Sequence, residues 1–310
     1  MLTRAVYAGT IETLEREFTL HKLWAAPDPE KMIAELAPRL RAIAGGAGCN
    51  AELLSKFPKL GLVANFGVGY DTIDVEYCAK HGIRATNSPD VLNDEVADTA
   101  IGLLLCTARK LLVGDRFVRD GKWLKGPMPL TTTITGKTMG IVGLGRIGEA
   151  IAERAIAHKM KVVYHNRSKK DVAYTYYPKL VDMARDVDVL MVIIPGGAET
   201  SKLISREVME ALGPDGILIN VARGTVVDEE AMVELLKSGK LGAAGLDVFE
   251  KEPQVPQGLI ELTDTVVLQP HVGSATHYTR TAMGQLMVDN IKAFFAGKPL
   301  LTEVPETKGK

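Results

Sequence analysis

Along most of the chain, short runs of consecutive apolar residues alternate with longer stretches whose apolar positions recur every three or four residues. The runs have the length of strands, and the recurring positions mark one face of a helix. Strict alternation of the two predicts parallel sheets, because parallel neighbours need a crossover connection and helices supply it. Candidate strands in the first part of the chain are 4–8, 42–45, 61–65 and 84–86. A longer helical stretch follows over 95–119, with Ala97, Ile101, Leu104, Leu105, Leu111 and Leu112 forming a wide apolar face. Its length predicts a bridge between domains. From Gly136 to Ser274 the alternation is uninterrupted, with strands expected at 137–142, 161–165, 216–222, 241–246 and 265–268. The pattern over 279–295 predicts a second bridging helix that returns the tail to the first domain. The expected organisation is therefore discontinuous: one domain from 1–95 and 278–310, another from 96–277, and a site in the cleft between them.

The strand 137–142 runs into Gly143-Leu144-Gly145-Arg146-Ile147-Gly148, and a helix over 149–158 and the strand 161–165 follow. Glycine permits the tight turn, and N–H groups at the helix start attract a pyrophosphate. Strand, glycine motif, helix and second strand together predict a Rossmann dinucleotide cradle. An NAD site usually has an acidic residue about 20 positions further on, bonded to the ribose 2′-OH. Here Asn166 holds that place, followed by Arg167, Ser168, Lys169 and Lys170. A carboxylate would repel a 2′-phosphate, whereas guanidinium, hydroxyl and ammonium groups bind it. The expected cofactor is NADP, with NADPH preferred over NADH; the plain alternative is a solvated basic turn.

Composition narrows the class. The chain has 310 residues, 46% hydrophobic and 24% charged, as in a soluble globular protein of two domains. Its net charge of −1 gives no field that would recruit nucleic acid or an anionic membrane. Cys49, Cys78 and Cys106 lack paired or metal-ligand spacing, so buried free thiols and a reducing cytoplasm are expected, with no metal. No segment has the pattern of a signal peptide or the ~20 apolar residues of a membrane span.

Three strand ends carry the candidate chemistry. The strand 216–222 ends in Arg223-Gly224, the strand 241–246 in Asp247 and then Glu250-Lys251-Glu252-Pro253, and the strand 265–268 in Gln269-Pro270-His271-Val272-Gly273. Ligands of open parallel sheets bind outside these carboxyl ends. Hydride transfer to a 2-oxo acid needs a planar cation for the substrate carboxylate and an acid titrating near neutrality for the carbonyl oxygen. Arginine and histidine are those types, and a neighbouring carboxylate orients the ring and favours its charged form. Taken singly, each has a plain reading as an ion pair, a turn residue or a structural histidine.

Ala222-Arg223-Gly224, Gly245-Leu246-Asp247-Val248-Phe249-Glu250-Lys251-Glu252-Pro253 and Pro270-His271-Val272-Gly273-Ser274-Ala275 together resemble the D-2-hydroxyacid dehydrogenase family, over nearly the whole chain. The resemblance implies two doubly wound α/β domains, a Rossmann cofactor domain and a smaller flavodoxin-like substrate domain. It implies Arg223 as the substrate-binding arginine, His271 as general acid/base, Glu252 as its partner and Asp247 as a contact to the nicotinamide carboxamide. The loop 65–71, through Val68 and Gly69, is expected to offer N–H groups to the substrate carboxylate. Besides Gly143, Leu144, Gly145, Arg146, Ile147, Asn166, Arg167 and Ser168, the implied cofactor contacts are Pro195, Ala222 and Gly273. A homodimer is also implied, with Trp123 in the region of the dimer arm.

Within the family, Gly67-Val68-Gly69, Ser88-Pro89-Asp90-Val91-Leu92 and His165-Asn166-Arg167-Ser168 most resemble NADPH-dependent glyoxylate/hydroxypyruvate reductases. Asp98 stands where the family commonly has glutamate, and Gly196-Gly197 where bulkier residues are common. The expected reaction is NADPH-dependent reduction of a small 2-oxo acid, glyoxylate or hydroxypyruvate. Hydroxyphenylpyruvate reductases share most of these motifs and are the alternative. A distant alternative is a non-enzymatic NAD(P)-sensing protein.

Overall fold

A computed structural model describes residues 1–309, which fall into two compact units, 1–92 with 274–309, and Asn93–Gly273.

In the first unit, strands β1 (Ala42–Gly45), β2 (Leu62–Asn65) and β3 (Arg84–Thr86) form a parallel sheet in the order β1-β2-β3. The expected strand at 4–8 is absent. Instead Leu2, fully buried, makes parallel bridges to both Ala44 and Lys22, and a helix begins at Ala8. Extended pairing stops there because the chain must turn away at Tyr7, the N-cap of that helix. Counting the bridges as strand positions, the lateral order is 22, 2, 42, 62, 84, the 2-1-3-4-5 order of flavodoxin-like sheets. The unit closes with the helix His277–Phe295, where Thr276 accepts the Thr279 N–H at 3.0 Å.

In the second unit, β4 (Thr138–Val142), β5 (Lys161–His165), β6 (Thr175–Tyr176), β7 (Val189–Val192), β8 (Ile217–Asn220), β9 (Ala243–Leu246) and β10 (Val266–Leu268) form one parallel sheet. Its order is β10-β9-β8-β7-β4-β5-β6. The chain winds outward from β4 in both directions, so the topological switch lies between β4 and β7, beside the glycine turn. Strand β7, which the sequence reading does not assign, is buried at every position, as are β2 and β8. The helical stretch over 95–119 is two helices, Asn93–Ala108 and Leu111–Arg119. Lys110 breaks it by adopting a left-handed conformation at φ 50°, which no residue type in the segment announces. Asp98, on the first of these helices, accepts from Arg154 Nε at 2.5 Å, so the shorter acid keeps an arginine partner.

Cys49 and Cys78 are buried free thiols, and Cys106, expected to be buried, is only half-buried. Burial pushes the Cys49 thiol up to about 12 and the Cys78 thiol to about 11. Among the described residues, no helix is long and apolar enough to cross a membrane.

Candidate active site

The carboxyl edge of the large sheet begins with the glycine turn. Gly143 has φ 104°, and a Cβ there would fall 2.4 Å from the Ile193 carbonyl oxygen; one at Gly148 would fall 2.3 Å from that of Gly143. A Cβ at Gly145 would meet open space. Gly145 is the N-cap of the helix Arg146–Ala157 and makes no side-chain cap. Tight packing behind, open space in front and a helix start with a glycine cap fit a pyrophosphate cradle. Leu144 is buried, so only its backbone faces that cradle, and Ile147 is half-buried.

The turn after β5 lies against this loop. Asn166 Oδ1 accepts the Leu144 N–H at 2.7 Å. Arg167 and Ser168 are exposed, and Arg167 Nη1 stands 3.5 Å from Glu199 Oε2, with side chains 93% and 85% exposed. Lys170 is not among the outward cations expected to meet a 2′-phosphate. Its ammonium donates to the Leu144 carbonyl at 2.9 Å and pairs with Glu149. The loop holding Glu199 is closed by Thr200, whose hydroxyl donates to the Pro195 carbonyl at 2.8 Å. Gly197 takes φ 134° there, which accounts for a glycine in place of a bulkier residue.

After β8, buried Asn220 donates from Nδ2 to the Arg223 carbonyl at 2.9 Å and accepts the Ala222 N–H at 3.0 Å. The turn that presents Arg223 is thus held by the last residue of the strand. A Cβ at Gly224 would fall 1.8 Å from the Phe249 carbonyl carbon, so only glycine lets this turn press against the segment that carries Glu252. Buried Glu229 accepts the Glu250 N–H at 3.1 Å and fastens the same segment. Neither Asn220 nor Glu229 is singled out by the sequence, although an amide ending an apolar strand is a usable signal.

After β9, Asp247 is 2% exposed. Its two carboxylate oxygens accept the N–H groups of Val272 and Gly273 at 2.7 and 2.8 Å, and its carbonyl accepts the His271 N–H at 2.8 Å. Burial raises its pKa despite those bonds. The His271 turn is therefore pinned to the neighbouring strand end, and His271 itself takes the left-handed φ of 55°. Its Nδ1 lies 2.8 Å from Glu252 Oε2, while Glu252 Oε1 accepts the Phe249 N–H at 3.2 Å. Burial works to raise the Glu252 pKa. The hydrogen bond and charge of His271, the Phe249 N–H and the charge of Arg223 outweigh it and hold Glu252 below the usual carboxylate range. An ionised carboxylate only accepts, so the ring proton at this contact belongs to Nδ1. Arg223, Glu252 and His271 thus come together, with the imidazole oriented by a charged partner and Nε2 facing away from it.

In the first unit, the loop after β2 is also held by an asparagine. Buried Asn65 donates from Nδ2 to the carbonyls of Gly67 and Gly69 at 3.1 and 2.8 Å. Asn87 Nδ2 donates to the Val68 carbonyl at 2.9 Å, and the Ser88 N–H to that of Gly67 at 2.8 Å. In a planar trans peptide the N–H points opposite to the preceding C=O. Anchoring the carbonyls of Gly67 and Val68 therefore turns the N–H groups of Val68 and Gly69 the other way.

Two parallel sheets of these orders and an Arg–Glu–His constellation beside a dinucleotide cradle define a nicotinamide-dependent oxidoreductase. Residues 101–273 match the D-isomer specific 2-hydroxyacid dehydrogenase, NAD binding domain, and the chain belongs to that family. It is 49% identical over 294 residues to glyoxylate/hydroxypyruvate reductase A HPR2 of Arabidopsis thaliana, covering 94% of each chain. It is 49% identical over 296 residues to hydroxyphenylpyruvate reductase of Plectranthus scutellarioides, again covering 94% of each. Among solved structures it resembles the NADPH-dependent glyoxylate/hydroxypyruvate reductase of Sinorhizobium meliloti in complex with NADP and malonate. That match has a TM-score of 0.92 and 44% identity, over 99% of this chain and 96% of that one.

Proposed function

We propose that this chain uses NADPH to reduce small 2-oxo acids, glyoxylate to glycolate and hydroxypyruvate to D-glycerate. The observation that carries the reading is the hydrogen bond between His271 and an ionised Glu252, with Arg223 beside them. Gly143, Leu144, Gly145, Arg146 and Ile147 would hold the pyrophosphate, and Asn166, Arg167 and Ser168 the ribose with its 2′-phosphate. Pro195, Ala222, Asp247 and Gly273 would hold the rest of the dinucleotide. When bound there, NADPH supplies a hydride to the carbonyl carbon. Arg223 offers its planar fork to the substrate carboxylate, and the N–H groups of Val68 and Gly69 serve the same anion. His271, protonated on both nitrogens, gives its Nε2 proton to the carbonyl oxygen while Nδ1–H remains on Glu252. Hydride and proton together turn the ketone or aldehyde into the alcohol.

The equal 49% identity to a hydroxyphenylpyruvate reductase supports a second reading, in which the acid is aromatic. Comparing kcat/KM for glyoxylate, hydroxypyruvate, pyruvate and hydroxyphenylpyruvate, each with NADPH and NADH, separates the two. Hydroxypyruvate and glyoxylate leading with NADPH supports the first, and a clear lead for the aromatic acid the second. No turnover with any acid would leave an NADP-sensing protein. We place the active form as a homodimer in the cytoplasm. Exposed Leu111, Leu112, Trp123, Leu124 and Leu130 support the assembly, and the free thiols support the compartment.

A further inference from the structure

The basic turn after β5 is fastened to the glycine loop at both ends, and to one residue. Asn166 Oδ1 takes the Leu144 N–H at 2.7 Å, and Lys170 Nζ donates to the Leu144 carbonyl at 2.9 Å. The Lys170 ammonium is also paired with Glu149, in the first turn of the helix that the glycine loop opens. Its backbone is tied as well. The Lys170 N–H donates to the Tyr164 hydroxyl at 2.8 Å, and that hydroxyl donates to the Lys170 carbonyl at 3.2 Å. Tyr164 is fully buried, so this anchor belongs to the core of the sheet. Arg167, Ser168 and Lys169 stand exposed between the two fastenings.

In a dinucleotide, the pyrophosphate and the 2′-phosphate are joined through one ribose, so the protein groups that meet them must keep a fixed separation. We infer that Lys170 is a positioning residue for cofactor choice. Through Leu144 and Glu149 it holds Arg167 and Ser168 in register with the pyrophosphate cradle, and it touches neither phosphate. The inference rests on the NADPH reading given above. Its rival is the plain one, in which Lys170 is itself a ligand of the 2′-phosphate. The two differ in sign at Glu149. Removing the Glu149 charge would free a ligand lysine and tighten 2′-phosphate binding. The same change would unfasten a strut and weaken it.

The test is calorimetric titration of the intact protein with adenosine 2′,5′-bisphosphate and with AMP, which differ only in the 2′-phosphate. The proteins compared are the parent, Lys170→Met, Glu149→Gln, the double variant, and Tyr164→Phe, which removes the backbone tie and keeps the ring. Lys170→Met and Glu149→Gln should each weaken the bisphosphate about tenfold and leave AMP nearly unchanged. The double variant should lose no more than either single change, because both break one linkage. Tyr164→Phe should move in the same direction, and kcat at saturating NADPH should hold. Tighter bisphosphate binding in Glu149→Gln, or equal losses for both nucleotides, overturns the inference. A parent with no preference for the bisphosphate removes the NADPH reading and this inference with it. A parent preference that survives Lys170→Met removes the inference alone.

Discussion

Arg167 and Glu199 form an exposed ion pair, and such pairs contribute little. A 2′-phosphate can therefore displace Glu199 at small cost, and a charge-assisted contact to Arg167 is worth about 1.5–3 kcal/mol, or roughly 10- to 150-fold in affinity. Arg167→Ala should raise KM for NADPH by that order and leave KM for NADH nearly unchanged; equal losses would show that Arg167 does not read the phosphate. Glu199→Gln should move the other way and lower KM for NADPH, because a repelling carboxylate is gone. At His271 the backbone is left-handed at φ 55°, a conformation asparagine tolerates better than most residues. His271→Asn should thus keep the fold and bind NADPH while losing most turnover. Binding measured by NADPH fluorescence, with kcat beside it, checks both halves. The placement of Arg223 and His271 at strand ends was legible because each closely follows an apolar run, whereas Glu252, six residues past its strand, was named through the family resemblance. Asn65 and Asn220 were not legible, since their bonds go to backbone a few residues away and exist only once the turn has closed.

The ends of β8, β9 and β10 lean on one another. The β8 turn presses on the Phe249–Glu250 backbone at Gly224, and the β10 turn hangs from Asp247 after β9. Gly224→Ala should lower Tm and activity together, the cost of such overpacking being about 1–3 kcal/mol or more. Retention of the parent Tm would mean the two segments separate easily. The Glu252–His271 pair sets two pH limits. Glu252 is an acid whose folded pKa is depressed, so its contribution to stability is present above the unfolded value of about 4.3 and is lost as pH falls through the lower folded value. On the alkaline side, reduction needs a ring that still carries the Nε2 proton, and Glu252 is the group hydrogen-bonded to that ring. Glu252→Gln should make reduction fade at lower pH than in the parent, and an unmoved kcat/KM profile would show that Glu252 does not govern the proton. Periodicity found the strands with polar ends. It missed β6, only two residues long, β7, whose run leads into apolar Ile193 and Ile194 rather than a polar end, and the break at Lys110, which is set by one φ angle rather than by a glycine or proline.

Both units read as parallel sheets from the sequence, and both are; the outermost elements were less legible. Leu2 and Lys22 make single bridges rather than strands, too short for any alternation to register. At this scale the expectation is a homodimer, and light scattering should give twice the chain's 33.5 kDa. A mass of one chain would leave the exposed face around Trp123 without the partner assigned to it.

The bond from Leu144 N–H to Asn166 Oδ1 also bears on how readily cofactor preference changes over evolution. Aspartate at 166 would keep that acceptor in place. It would give up only the Nδ2 contact to the Leu144 carbonyl, long at 3.5 Å, and would gain the acid that grips an unphosphorylated ribose. Asn166→Asp should therefore fold like the parent and favour NADH. On that expectation, a single codon change would carry the chain from one nicotinamide pool to the other, and an unchanged ratio of KM values for NADPH and NADH in Asn166→Asp would refute it.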